Sequence, residues 1–322
     1  MMMKMNHKEL KKGDGITNRL FSFLTHVGMI VTYLTSLKDH VFLIETRDKR
    51  FILKGYATFD KMWKQVLISE ELQQTGFTLT SYVRLFPNGN IYEQFLSKYW
   101  LLYDALEETV PFTFERKENR KLALKTLHLY HLYARKLPKK LYGVVPNLSL
   151  QRKMWARLHT LYVHRSTISF YVGESVQKQV LDWSYFTLSS GLSLKSVLHS
   201  FLHGDVIHHN FLKSTDVYLI DFDCMSFGPV YYDYMKWCHC VLPFEDWSFE
   251  SLFEYDELKW LLHDSVFLRL LVFPEDLLRE WYYFLKLPAC QKPYYEERFI
   301  DFTKKQFLYR LQFVERIYNM IT

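Results

Sequence analysis

The sequence predicts an α+β fold in two unequal parts: a small N-terminal β-sheet lobe with one helix, and a large, mainly helical C-terminal lobe. Three observations carry this. At 322 residues the chain is too long for one small core. Its patterning changes from strand-like to helical between about residues 106 and 113. The helical part is interrupted only by two short apolar pieces, "FLHG" and "DVYLIDF", which read as a buried β-pair. The expected division is therefore 1–106 and 107–322.

The elements follow in order. "HVFLIET" (40–46) and "RFILKGY" (50–56) are β-branched and aromatic runs separated by the polar "RDK", the signature of a hairpin. "WKQVLISEELQQTGF" places Trp63, Val66 and Leu67 at helical spacing and ends at Gly76, a residue suited to a helix C-terminus. "SYVRLFPNGNIYEQFL" reads as a second hairpin turned by Pro87, Asn88 and Gly89, and "KYWLLYDAL" as one more strand. Helices are expected at 116–137, 151–164, 173–183 and 191–200, with several more between 250 and 322. The last, "ERFIDFTKKQFLYRLQFVERIYN", keeps Phe299, Phe302, Phe307, Leu311, Val314 and Tyr318 near one stripe.

Bulk composition narrows the class. Hydrophobic residues at 49% and charged residues at 24% belong to a folded chain, not a disordered one. The net charge of +6 does not imply a nucleic-acid partner. Much of the excess lies between Arg116 and Lys153, either as a solvated helix face or as a rim for an acidic or phosphate-bearing partner. Four irregularly spaced cysteines give no disulfide framework, and "WCHC" lacks the second ligand pair of a zinc site. The polar, basic start has no apolar core of a leader, and no run is long enough to span a membrane. Synthesis in a reducing cytoplasm is expected.

Chemistry concentrates in "FLHGDVIHHNFLKSTDVYLIDFD", residues 201–223. Asp205 and Asn210 lie in the loop after one apolar piece, and Asp221 ends the next. If those pieces pair, their loops open on the same side and the three polar groups converge. Asn210 and Asp221 offer hard oxygens suited to Mg²⁺ shared with phosphate. Asp205 is then free to orient or deprotonate a hydroxyl. A phosphoryl site also needs a cation, and Lys54 in "RFILKGY" is placed to supply it. Glu70, sixteen residues on and sharing a helix face with Trp63 and Leu67, is its expected partner, with Glu71 as the alternative. His203 reads as a hydrogen-bonding support beneath the loop, and His128 and His131 as a helix face packed against it.

"HGDVIHHN" followed by "IDFD" resembles the protein-kinase-like fold of aminoglycoside and choline phosphotransferases. More narrowly, "LHGDVIHHNFL", "VYLIDFD" and "GPVYYDYMKW" resemble the spore-coat kinase-like proteins of the CotS type. The resemblance implies an ATP- and Mg²⁺-dependent phosphotransferase acting on a hydroxyl-bearing small molecule, and association with other spore-coat proteins after synthesis in the mother cell. It also implies that Asp233, on the following helix, braces the catalytic loop. Three departures stand out. "YLTSLKDH", where the phosphate-covering loop should fall, contains no glycine; Ile207 replaces a commonly polar residue; and Asp223 stands where protein kinases have glycine. A coat-assembly protein on a kinase scaffold, with weak or no nucleotide binding, is the alternative. A basic adaptor acting through Arg116–Lys153 is a more distant one.

Overall fold

A computed structural model of the chain describes residues 15–107, 109–110, 112–189, 194 and 197–321. The first half runs α1 (Gly15–His26), β1 (Tyr33–Lys38), β2 (Val41–Glu45), β3 (Arg50–Tyr56), α2 (Phe59–Thr75), β4 (Val83–Arg84), β5 (Glu93–Phe95), β6 (Lys98–Asp104), α3 (Lys117–Ala134) and α4 (Leu150–Val163). It continues through α5 (Arg165–Val172), α6 (Glu174–Ser189), β7 (His199–Leu202), β8 (Phe211–Lys213), β9 (Val217–Leu219) and β10 (Ser226–Pro229). Five helices close the chain: α7 (Tyr231–Val241), α8 (Ser265–Val272), α9 (Glu275–Lys286), α10 (Lys292–Lys304) and α11 (Phe307–Ile321). This is the expected α+β architecture, a sheet-rich N-terminal lobe and a large helical C-terminal lobe.

Packing divides the chain into two compact units. The first holds residues up to 111 together with Lys136–Val145 and Leu212–Asp223; the second holds the remainder. In the first, the sheet runs in the order β1-β2-β3-β6-β4, with β5 also on β6. Alternation sorts its two faces. Phe42, Leu53 and Leu102 stand opposite one another across three strands, all buried, on the face that receives Leu20 and Leu24 of α1. One residue on, Lys54 turns to the other face with Tyr56, where Leu101 packs with Met62 and Val66 of α2. Helix α2 is fixed at both ends: the Thr58 hydroxyl accepts from Lys61 N, and Gly76, at φ 85°, donates to Gln73 O.

Several expectations change. "PNGN" does form a turn, with Phe86 N donating to Asn90 O at 2.8 Å. Its flanking strands do not pair with each other, however; β4 and β5 each pair with β6. Helix α1 is a second helix in a lobe expected to hold one, and its Leu20 and Leu24 repeat at helical spacing. "FLHG" and "VYLID" do not pair either. β7 pairs with β10, and β9 closes back on β8 through a turn in which Ser214 N donates to Asp216 O. Of the helix expected at 191–200, residues 191–193 and 195–196 lie outside the described residues, and His199 begins β7.

The last expected helix is two, α10 and α11. At their junction Gln306 donates to Pro243 O at 2.6 Å and accepts from Trp247 Nε1 at 3.1 Å. Nearby, Arg310 makes two bonds to Asp276 at 2.7 and 2.8 Å while lying 4.3 Å over the Trp247 ring. This buried guanidinium gives α9 and α11 one fixed register. Four tryptophans, Trp100 in the first unit and Trp183, Trp237 and Trp281 in the second, are fully buried, so much of the aromatic surplus is core.

Gly55 faces Trp100 across β3 and β6, and a Cβ there would lie 2.8 Å from the indole. Gly55→Ala should therefore cost about 1–3 kcal/mol by overpacking. The check is a urea unfolding curve; an unchanged midpoint would mean the sheet yields at this point.

Candidate active site

The second unit positions Asp205 and Asn210 through a buried carboxylate. Asp233, in the first turn of α7, is wholly buried. Its Oδ2 accepts His203 N at 2.7 Å and its Oδ1 accepts Gly204 N at 2.9 Å. His131 Nε2 approaches Oδ2 at 3.3 Å. Burial alone would push this acid's pKa up; His131, His203 and the Gly204 N–H together pull it below its ordinary value. Gly204 is required at the turn. Its φ is +81°, and a Cβ would stand 2.4 Å from Cys224 O.

The loop that follows holds itself together. Asp205 N donates to His203 Nδ1 at 3.3 Å. The Asn210 amide nitrogen donates to Asp205 O at 2.8 Å and to Asp205 Oδ2 at 3.1 Å. With its nitrogen so committed, Asn210 leaves its carbonyl oxygen as the side-chain atom available to a further partner. Asp205 Oδ1 faces Lys236 Nζ at 3.5 Å, and the same ammonium donates to Gly204 O at 2.5 Å. Lys236 was missed in the sequence reading. Its signal was its place three residues after Asp233 on one helix, so that the brace and the cation reach the loop together. His128 Nδ1 meets Tyr234 OH at 2.9 Å, and His131 lies against Asp233, so both belong to the packing behind the loop.

The first unit assembles a charged cluster of its own. Lys54 Nζ lies 2.8 Å from Asp221 Oδ1 and 2.9 Å from Asp223 Oδ2. Asp221 has φ 69°, a left-handed conformation unusual for a residue with a side chain and worth about 1–3 kcal/mol of strain. Burial would raise the Asp221 pKa, but Lys54 and then Lys38 outweigh it and hold the carboxyl at about 2. Lys54 is likewise held above its ordinary value: burial opposes its charge, and Asp221 and Asp223 more than offset that.

Glu70 is not the partner of Lys54. It is exposed and accepts from Gln74 Nε2 at 3.4 Å. The error lies in the helix face chosen. Trp63, taken as marking the inward face, is 38% exposed, whereas the buried stripe is Met62, Val66, Ser69 and Leu72. The alternative, Glu71, is buried but pairs with Lys140. Helix α2 instead holds the segment after Asp221 five and six residues earlier. Lys64 Nζ donates to Asp223 O at 2.7 Å, and Gln65 Nε2 to Phe222 O at 3.4 Å.

The glycine-free stretch also has a definite structure. β1 and β2 close tightly, with Lys38 opposite Val41, a register irregularity after Ser36, and His40 at φ 59°. Lys38, at the end of β1, brings its Nζ to 3.4 Å from Asp221 Oδ2. Both oxygens of Asp221 thus face ammonium groups. "YLTSLKDH" contained this lysine, but only the register of the hairpin directs it toward Asp221.

This fold is found in known phosphotransferases. The chain is similar to an aminoglycoside phosphotransferase from Alicyclobacillus acidocaldarius, at 14% identity and a TM-score of 0.65, covering 90% of this chain and 92% of that one. It is similar to a spectinomycin phosphotransferase solved with ADP and spectinomycin, at 13% identity and a TM-score of 0.57, covering 86% and 90%. It is also similar to a choline kinase from Streptococcus pneumoniae, at 15% identity and a TM-score of 0.51, covering 94% and 100%. No family model and no curated protein matches the sequence. At these identities the shared property is the fold. Among the described residues, no helix is long and apolar enough to cross a membrane.

Two outcomes check this geometry. Asp233→Ala leaves two buried N–H groups and His131 without their acceptor, and should cost about 3–5 kcal/mol in a denaturant titration. Asp205→Ala, at a part-exposed side chain, should move the same midpoint far less; equal losses would deny Asp233 its bracing role. Separately, Lys38→Met should strengthen Mn²⁺ binding by roughly two- to five-fold, the worth of an exposed ion pair. Calorimetric titration with Mn²⁺ reads this directly, and an unchanged affinity would mean that Lys38 does not guard Asp221.

Proposed function

We propose that the chain is an ATP-dependent phosphotransferase acting on the hydroxyl of a small molecule. The observation that supports this most is the ion pair of Lys54 with Asp221, residues far apart in sequence. It stands in a fold whose known examples include phosphotransferases solved with ADP and with AMP. In that reading Lys54 engages the nucleotide phosphates. Mg²⁺ would be held by Asp221 and Asn210. The donors fit: an ionised carboxylate and an amide oxygen are hard ligands, although Lys38 must leave Asp221 Oδ2 to make room. When bound, the metal neutralises phosphate charge.

The remaining work falls to the chain's own side chains. Asp205 accepts a hydrogen bond from the acceptor hydroxyl and takes its proton as the oxygen attacks the γ-phosphorus. The new bond is acceptor oxygen to phosphorus; the bond broken joins that phosphorus to the bridging oxygen, and ADP leaves with the electron pair. Asn210 and Lys236 fix the two oxygens of Asp205, so the base does not search for its orientation.

A second reading is favoured by one observation, the glycine-free hairpin whose Lys38 lies on Asp221. It makes the chain a CotS-type coat-assembly protein with weak nucleotide binding, made in the mother cell and carried into the spore coat by contacts with other coat proteins. Calorimetry with a non-hydrolysable ATP analogue and Mg²⁺ separates the two. The enzyme reading expects binding, weakened about ten-fold or more by Lys54→Met. Asp205→Asn should retain that binding and lose transfer by about 10²–10⁴-fold. No binding by the unaltered protein would leave only the scaffold.

A further inference from the structure

The phosphotransferase reading leaves the acceptor open, and the second unit carries a charge pattern that bears on it. Beside Asp205, helices α4, α7 and α9 bring Lys153, Arg157, Lys236 and Arg279 into one neighbourhood. Lys236 pairs with Asp205 at 3.5 Å, Arg157 with Glu275 at 2.5 Å, and Arg279 with Glu280 at 3.3 Å. Lys153 has the longest ion pair of the four. It reaches Glu275 only at 3.8 Å, where Arg157 already binds. Its Nζ lies 4.5 Å from the centroid of the Tyr232 ring and contacts the Tyr232 hydroxyl. Lys236 Nζ lies 5.6 Å from the same centroid. Two ammonium groups thus share one aromatic ring, and one of them touches the proposed base.

We infer that the acceptor is a hydroxylated anion, whose phosphate or carboxylate group Lys153 binds beside Tyr232 while its hydroxyl meets Asp205. An ammonium group that is half-buried among like charges is stabilised by an anion and by little else. The Lys153 pKa agrees. Burial first, and then Arg157 and Lys236, lower it to about 8, with Glu275 and Cys224 only partly opposing them. Lys153 remains a third exposed and Asp205 slightly less, so a solute can reach both. A cationic acceptor would meet repulsion here. Lys153 comes from "QRK", the end of the basic stretch that the sequence singled out. Elsewhere in that stretch Arg120 is spent on Glu245, Lys117 on Glu254 and Lys140 on Glu71.

This inference rests on the phosphotransferase reading, and acceptor binding without nucleotide tests it separately. Glycerol 3-phosphate, glycerate and choline are titrated into the full chain by calorimetry at fixed ionic strength. The expected result is that one or both anions bind and choline does not. Lys153→Met should weaken anion binding about ten-fold or more, and Lys153→Arg should preserve it. If the Met variant does not fold, the unaltered protein still decides. Anion affinity should fall between pH 7 and 9 as Lys153 loses its proton, since only the protonated form binds the anion. Choline binding more tightly than both anions, no anion binding at all, or an affinity unchanged by Lys153→Met or by pH would each overturn the inference. ADP titrated into the unaltered protein reports on the nucleotide site independently. Lost ADP binding with retained anion binding would count against the phosphotransferase reading and not against this site.

Discussion

A carboxylate with no access to water, Asp233, is the constraint on which the second unit's chemistry depends. A buried charge is costly unless every lone pair is used. Here the loop's own backbone uses them, through His203 N and Gly204 N, with His131 on the far side. The loop cannot shift without leaving Asp233 unsatisfied, so Asp205 is presented from a fixed base. Gly204 contributes the other half of the constraint, since its left-handed turn passes so close to Cys224 O that no side chain fits. Backbone geometry and a buried charge specify the same conformation.

The first unit shows a different electrostatic arrangement. Asp221 and Asp223 face Lys54, and Lys38 adds a second ammonium to Asp221. A third ammonium, that of Lys64, donates to the Asp223 backbone carbonyl. The Lys38 contact is the weaker of the two on Asp221, being longer and mostly exposed. A phosphate-bearing ligand would compete with Asp221 for both lysines, and a divalent cation would compete with Lys38 for Asp221. The tight β1–β2 turn thus brings a side-chain charge to Asp221.

The second unit spends its positive charge unevenly. Arg310 and Arg120 are structural, each locked to a carboxylate and packed beside an aromatic or hydroxyl group. Lys153 and Lys236 share the Tyr232 ring, but their carboxylate contacts, at 3.8 and 3.5 Å, are longer.

The sequence by itself determined the fold class and the chemical set. The switch from alternating to helical periodicity marked the change of lobe, the spacing of Asp205, Asn210 and Asp221 marked the residues worth examining, and Asp233 was added by the resemblance. Those signals are local: strand alternation, helix periodicity and turn chemistry act within a few residues, so they can be read from neighbours. What tertiary structure decided was partnership across distance. Glu70 looked inward because Trp63 was taken as core, but burial of a helix face is set by the sheet it meets, and α2 turned Met62 and Val66 to that sheet. "FLHG" and "VYLID" looked like a pair because both are apolar, but register chose β10 for one and β8 for the other. Lys38 and Lys236 had no distinguishing signal of their own, and Lys153 was only the end of a basic stretch. Only the packing that brought each beside a carboxylate or an aromatic ring made it a candidate, because charge acts through space and the sequence records only order along the chain.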